Sequence, residues 1–166
     1  MTSLSPEKYA GDDSADSPRG RGFDVATDNS VGYLLRDTAK LLLRDTAAAL
    51  EPLGISLPQY FVLRELWQEE GLTQRELASR VGVAEPAMVA TLDALAHAGL
   101  TERVRSAQDR RKVNVGLTAR GRNLRDSCLA HSARLLDRAL VGISDAEIHA
   151  MRDVLHRMKA NLEQRS

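Results

Sequence analysis

The stretch Leu72-Thr73-Gln74-Arg75-Glu76-Leu77-Ala78-Ser79-Arg80-Val81-Gly82-Val83, continued by Ala84-Glu85-Pro86-Ala87-Met88-Val89-Ala90-Thr91-Leu92-Asp93-Ala94-Leu95-Ala96-His97-Ala98-Gly99, decides the fold. Thr73 and Glu76 have the spacing of a capping box. The hydroxyl accepts from the third helical amide, and the carboxylate reaches back to the cap amide. This predicts a short helix over 74–80. Val81-Gly82-Val83 reads as a tight turn, with Gly82 at the flexible position. A second helix follows over 85–98, its apolar positions Met88, Leu92 and Leu95 at i, i+4 and i+7. Gly99 stops it. Two helices joined by so short a turn form a helix-turn-helix.

Downstream, 101–105 and 112–117 read as two short strands joined by the polar loop 106–111, a β-hairpin. Thr118 caps a long helix to about Leu140, and Ser144-x-x-Glu147 is a second capping box, opening a helix over 145–163. Ile148, Met151, Leu155, Met158 and Leu162 give that last helix a 3-4-3-4 repeat, the seam of a coiled-coil-like contact. Upstream, Leu34, Leu35, Thr38, Leu41, Leu42, Ala49 and Leu53 fall on one broad face of a helix over 31–53, stopped by Gly54. Ser56-x-x-Gln59 with Pro58 opens the next helix, which Gly71 is expected to close. Residues 1–28 are rich in Ser, Asp, Gly and Pro and read as a flexible arm. A helix-turn-helix followed by a hairpin is a winged helix-turn-helix. The expected fold is mainly α: an arm (1–28), a helix (29–55), a winged helix-turn-helix (56–119) and two C-terminal helices (120–166).

At 166 residues, 43% hydrophobic, the chain can bury a core without disulfide or metal. Its single cysteine, Cys128, excludes an intrachain disulfide and fits a reducing, cytoplasmic setting. No apolar run approaches about 18 residues, so no membrane span is expected. The first thirty residues lack the basic start and apolar stretch of a secretion signal. There is no G-x-S-x-G, P-loop or H-E-x-x-H, so no enzyme is expected. His149 and His156 stand about 10.5 Å apart along a helix, too far to share one metal. No metal or other cofactor is expected.

The zero net charge hides an asymmetry. Residues 73–122 hold nine cations against five carboxylates, whereas 1–30 hold three against six. A local basic patch binds polyanions even in a neutral protein. Arg103, Arg105, Arg110, Arg111 and Lys112 sit in or beside the hairpin, with Arg75, Arg80, Arg120 and Arg122 close in sequence. Adjacent arginines on a hairpin tip suit the minor groove, and Asp109 is placed to hold one of them. The alternative is a hairpin kept soluble by its charge. The helix over 85–98 is the expected recognition helix. Glu85 can accept from cytosine N4, Thr91 can reach a phosphate, and Ala87 and Ala90 can meet thymine methyls; Pro86 and Met88 complete this half. Thr73 and Gln74 would touch the backbone. So apolar a helix also suits packing on a protein. Residues 68–166 contain no aromatic side chain on which to stack an unpaired base, so duplex DNA is the better nucleic-acid partner.

The runs Leu72–Val83 and Thr91–Leu100 resemble the helix-turn-helix of the MarR family. Its most specific signature is the wing, here Ala107-Gln108-Asp109-Arg110-Arg111-Lys112, followed by Leu117-Thr118-Ala119-Arg120-Gly121. The resemblance covers 31–163. It implies a homodimer built from the first helix and the last two, palindromic duplex DNA as partner, and repression relieved by a small ligand. It makes Asp109 and Arg110 or Arg111 the anchor and minor-groove contact of the wing. It departs at Ala87 and Ala90, where SlyA-like members carry a serine and an arginine, so those two contacts do not carry over. The same pattern puts Lys40, Tyr60 and Arg64 at ligand-lining positions, with Arg36 one turn before Lys40. A cation beside an aromatic face suits an aromatic carboxylate or an acyl-CoA phosphate; the alternative is that Tyr60 is core and the cations are surface. Cys128 is either a packed thiol or a peroxide sensor. The expected function is a dimeric, ligand-responsive, DNA-binding repressor, with a winged-helix protein-interaction module as the alternative.

Overall fold

Three capping boxes set three of the helix starts. In the computed structural model, which describes residues 30–105 and 113–164, Ser56 with Gln59, Thr73 with Glu76 and Ser144 with Glu147 all close reciprocally. They open α2 (Leu57–Gln68), α3 (Gln74–Val81) and α6 (Asp145–Glu163). The remaining elements are α1 (Val31–Leu50), β1 (Leu72–Thr73), α4 (Glu85–His97), β2 (Thr101–Arg105), β3 (Val113–Leu117) and α5 (Ala119–Ala139). Gly82 ends α3 at φ 75°, a left-handed conformation that glycine adopts without steric cost. α4 can therefore start three residues later. The helix-turn-helix and the two strands of the wing stand where the sequence puts them.

Three local expectations are corrected. The helix opened by Ser56 stops at Gln68, because Glu69 is already extended. Gly71 belongs to the run into a strand: its N–H donates to Val115 O at 3.2 Å. That strand, β1, was not expected. Leu72 pairs with Val115 and Thr73 with Asn114, giving an antiparallel sheet of order β1-β3-β2. Two residues carry no readable alternation, so only the partner strand reveals β1. The first helix ends at Leu50, and Glu51–Leu53 form a 3-10 turn before Gly54.

The chain divides into two units, Met1–Leu41 and Leu42–Ser166. In the first, every residue from Val31 to Leu41 is exposed. The second holds one apolar core. Leu63, Leu66, Leu77, Met88 and Leu95, from α2, α3 and α4, are fully buried, joined by Leu117 of β3 and Cys128 of α5. α5 is fixed on this core by its first turn. Thr118 accepts from Gly121 N–H and donates to Gly99 O, and Trp67 Nε1 donates to Gly121 O at 3.0 Å. α6 buries no residue. Among the described residues no helix is long and apolar enough to cross a membrane.

Candidate nucleic-acid interface

α3, α4 and β2 surround a groove of about 300 Å³. Its lining includes Thr73, Gln74 and Arg75, Glu85, Leu92 and Ala96 of α4, and Glu102 and Arg103 of β2. α4 turns Met88, Leu92 and Leu95 into the core, which leaves Glu85, Pro86, Ala87 and Ala90 exposed at its N-terminal half. Met88 is corrected as a candidate DNA contact. It is fully buried, and the period that makes it a helix-core position withdraws it from any groove. Thr91 is half-buried, and its hydroxyl donates to Ala87 O at 3.0 Å, so the proton expected to meet a phosphate is already used. Thr73 likewise gives its hydroxyl to Glu76 Oε2 and accepts from Glu76 N–H. Gln74, the first residue of α3, is half-buried at the groove.

On the wing, Arg103 and Arg105 are exposed on β2. Arg103 reaches back to Asp93 of α4 at 3.3 Å, which ties the ribbon to the candidate recognition helix. Arg75 of α3 approaches Glu85 at 4.0 Å. Arg75, named from sequence only as one cation of the basic block, lines the groove, and Asp93, which was not singled out, pairs with the groove residue Arg103. The available signal was charge balance: α4 has two carboxylates and no Lys or Arg, so partners had to come from elsewhere. Asp109, Arg110, Arg111 and Lys112 lie outside the described residues.

The candidate ligand residues fall in both units. Arg36 and Lys40 are exposed in the first, where the Arg36 guanidinium pairs with Asp37 at 2.8 Å and lies 4.5 Å from the Tyr33 ring centroid. Tyr60 and Arg64 belong to the second. Tyr60 is 2% exposed, its hydroxyl is hydrogen-bonded to Ser132 of α5, and its ring packs near Phe61 and Trp67. The Arg64 guanidinium lies 5.9 Å from the Tyr60 centroid and borders a surface cavity of about 260 Å³ with Phe61, Glu65, Arg80 and Val81. Cys128 is fully buried, and burial pushes its thiol pKa up. A sensor needs an accessible thiolate, so the geometry is that of a packed thiol. Among the described residues no cluster of His, Cys, Asp or Glu could hold a metal.

The profile of the MarR family matches residues 55–113, the helix-turn-helix and the start of the wing. The HTH-type transcriptional repressor Rv2887 of Mycobacterium tuberculosis (strain ATCC 25618 / H37Rv) is 41% identical over 100 residues, which is 60% of this chain and 72% of that protein. The crystal structure of CouR from Rhodococcus jostii RHA1 bound to p-coumaroyl-CoA is similar, with TM-score 0.75 and 31% identity over 81% of this chain and 95% of that one. A crystal structure of Rv2887 in complex with DNA is similar with TM-score 0.64 and 31% identity, over 77% of this chain and 96% of that one.

Proposed function

The chain belongs to the MarR family, and from that premise we propose that it is a homodimeric repressor of transcription that binds palindromic duplex DNA and releases it on taking up a small effector. One observation carries the reading: the exposed N-terminal half of α4 stands beside a two-stranded ribbon bearing Arg103 and Arg105. A helix and a β-ribbon are the two elements that fit the grooves of B-form DNA. The contact set is Gln74, Glu85, Pro86, Ala87 and Ala90 from the helix-turn-helix, with Thr73 and Thr91 reaching phosphates through rearranged hydroxyls. Arg103, Arg105, Arg110, Arg111 and Lys112 form the wing, with Asp109 as anchor. The winged helix-turn-helix over 56–119 does the binding. The segments 29–55 and 120–166 hold two copies together.

The dimer assignment draws on unpartnered apolar surface. Met151, Val154, Leu155 and Leu162 of α6 are exposed, as are Leu136, Val141 and Ile143 before it. Tyr33, Leu34 and Leu35 of α1 are exposed in the other unit. So much apolar surface on one protein usually marks an interface.

The effector class draws on CouR, whose structure holds p-coumaroyl-CoA. An aromatic carboxylate or its CoA thioester offers an aromatic ring and anionic groups. In the second unit Arg64 supplies a cation at a surface cavity beside Phe61, while Tyr60 is packed in the core; Arg36 and Lys40 are exposed cations of the first unit. A ligand derepresses only by binding the DNA-incompetent dimer better than the competent one. Moving the two recognition helices away from one DNA turn, about 34 Å, suffices.

The test is retardation of the chain's own promoter fragment across a salt series. Wild type should bind with a steep inverse salt dependence. Arg110→Ala and Arg111→Ala should each weaken binding and flatten the slope by about 1.8, since each substitution removes a cation from both subunits. p-Coumaroyl-CoA or p-coumarate should release the fragment. Salt-independent binding, or binding indifferent to both arginines, would overturn the wing assignment.

A further inference from the structure

α4 carries two carboxylates, Glu85 and Asp93, and no lysine or arginine. Phosphates repel a helix of that charge. Each carboxylate is met by an arginine from a flanking element: Glu85 by Arg75 of α3 at 4.0 Å, and Asp93 by Arg103 of β2 at 3.3 Å. Arg75, Glu85 and Arg103 all line the groove. The four groups form two cross-braces, one at the first residue of the helix and one two turns further on.

From Ala84 to Thr91, the half of α4 that would enter a major groove, only Glu85 and Thr91 have polar side chains. The Thr91 hydroxyl is bound to Ala87 O. Glu85 is exposed and is the one charged side chain there, whereas Thr91 is half-buried and keeps only the weaker acceptor capacity of a neutral hydroxyl. An ionised carboxylate only accepts hydrogen bonds. In the major groove it pairs with the amino groups of cytosine N4 or adenine N6, and it is repelled by guanine N7 and O6 and by thymine O4. Discrimination comes as much from the rejection as from the attraction.

We infer that Glu85, held by Arg75, is the specificity-determining residue of α4, and that it reads an amino group on one base edge in each half-site. Arg75 is its positioning residue. It offsets the charge of the carboxylate as the helix approaches the phosphates and restricts the direction in which it points. The inference rests on the DNA-binding reading above and deepens it.

The experiment is selection of bound sequences from a random duplex library by the full-length protein. It compares wild type with Glu85→Ala, Glu85→Gln, Arg75→Ala and Arg75→Lys. Both side chains are more than half exposed, so the variants should fold; melting curves check this. Wild type should enrich cytosine or adenine at one symmetric position by about fivefold over thymine or guanine, the low end for a direct base contact. Glu85→Ala should flatten that position and leave the others. Glu85→Gln should move it towards adenine, which glutamine pairs bidentately. Arg75→Ala should erode the same preference, and Arg75→Lys should keep more of it. A motif that Glu85→Ala reproduces at every position overturns the assignment of Glu85 alone. Uniform weakening in Arg75→Ala, with the preference intact and the salt slope lowered by about 1.8 (one contact in each subunit), makes Arg75 a phosphate contact and overturns its positioning role. A wild type that enriches nothing overturns the regulator reading itself.

Discussion

Gly121 stands where the first turn of α5 meets the end of the helix-turn-helix. A Cβ there would lie 2.1 Å from Leu100 O and 3.2 Å from Leu117 Cδ2. Backbone cannot yield as a flexible side chain does, so Gly121→Ala must push α5 away from the core. It should lose about 1–3 kcal/mol of stability, the usual range for overpacking, measured by chemical denaturation. Beside it, Arg122 forks onto Glu70 through Nε at 2.9 Å and Nη2 at 2.7 Å, and Leu117 N–H donates to the same carboxylate. The Arg122 hydrogen bond holds the Glu70 pKa below its ordinary 4.5, against the opposing pull of burial. A carboxylate depressed in the folded state contributes stability that is present above its unfolded pKa and is lost as pH falls through the folded one. Arg122→Gln should therefore destabilise at neutral pH and converge on wild type in acid. Both side chains are about half exposed, so the difference should stay below about 1 kcal/mol. Denaturation at pH 7 and in acid checks both sign and size.

At the scale of elements, capping chemistry decided what could be read from sequence. α3 and α6 each begin on a hydroxyl–carboxylate box four residues long, and such a signal needs no tertiary context. α4 differs. Ala84 occupies its N-cap with extended backbone and no side-chain hydrogen bond, so its start is legible only through the preceding turn and the apolar period of Met88, Leu92 and Leu95. Ala84→Ser should add well under about 1 kcal/mol, because Pro86 has no N–H and the Ala87 amide already donates to Ala84 O, leaving a new hydroxyl only a shared amide. The rise should appear in thermal unfolding, and DNA binding should persist. β1 was illegible for the opposite reason: two residues become a strand only because Val115 and Asn114 present their edge. Met88 shows how a site list can go wrong within a well-placed element. The helix was right, but rotation about its axis gave that side chain to the core.

At the scale of the whole molecule, α6 has no buried residue although it carries a regular apolar seam. An amphipathic helix of 19 residues gains most of its stability from packing that face. Met151→Lys with Leu155→Lys should therefore yield monomers in sedimentation velocity. Palindrome affinity should fall at least tenfold, since a monomer engages one half-site. Full affinity in a monomeric variant would break the link between pairing and recognition.

The sequence by itself determined the order of the helices, the helix-turn-helix and the wing strands. Those follow from short-range rules: caps, turns, period and charge within a few residues. Tertiary structure decided what long-range contacts must supply. It folded β1 onto β3, turned Met88 inward and bound the Tyr60 hydroxyl to Ser132, 72 residues away. It also set Arg75 against Glu85 and Arg103 against Asp93. No local pattern encodes which arginine meets which carboxylate across ten residues of chain, because that choice is made only when α3, α4 and the ribbon close on a common core.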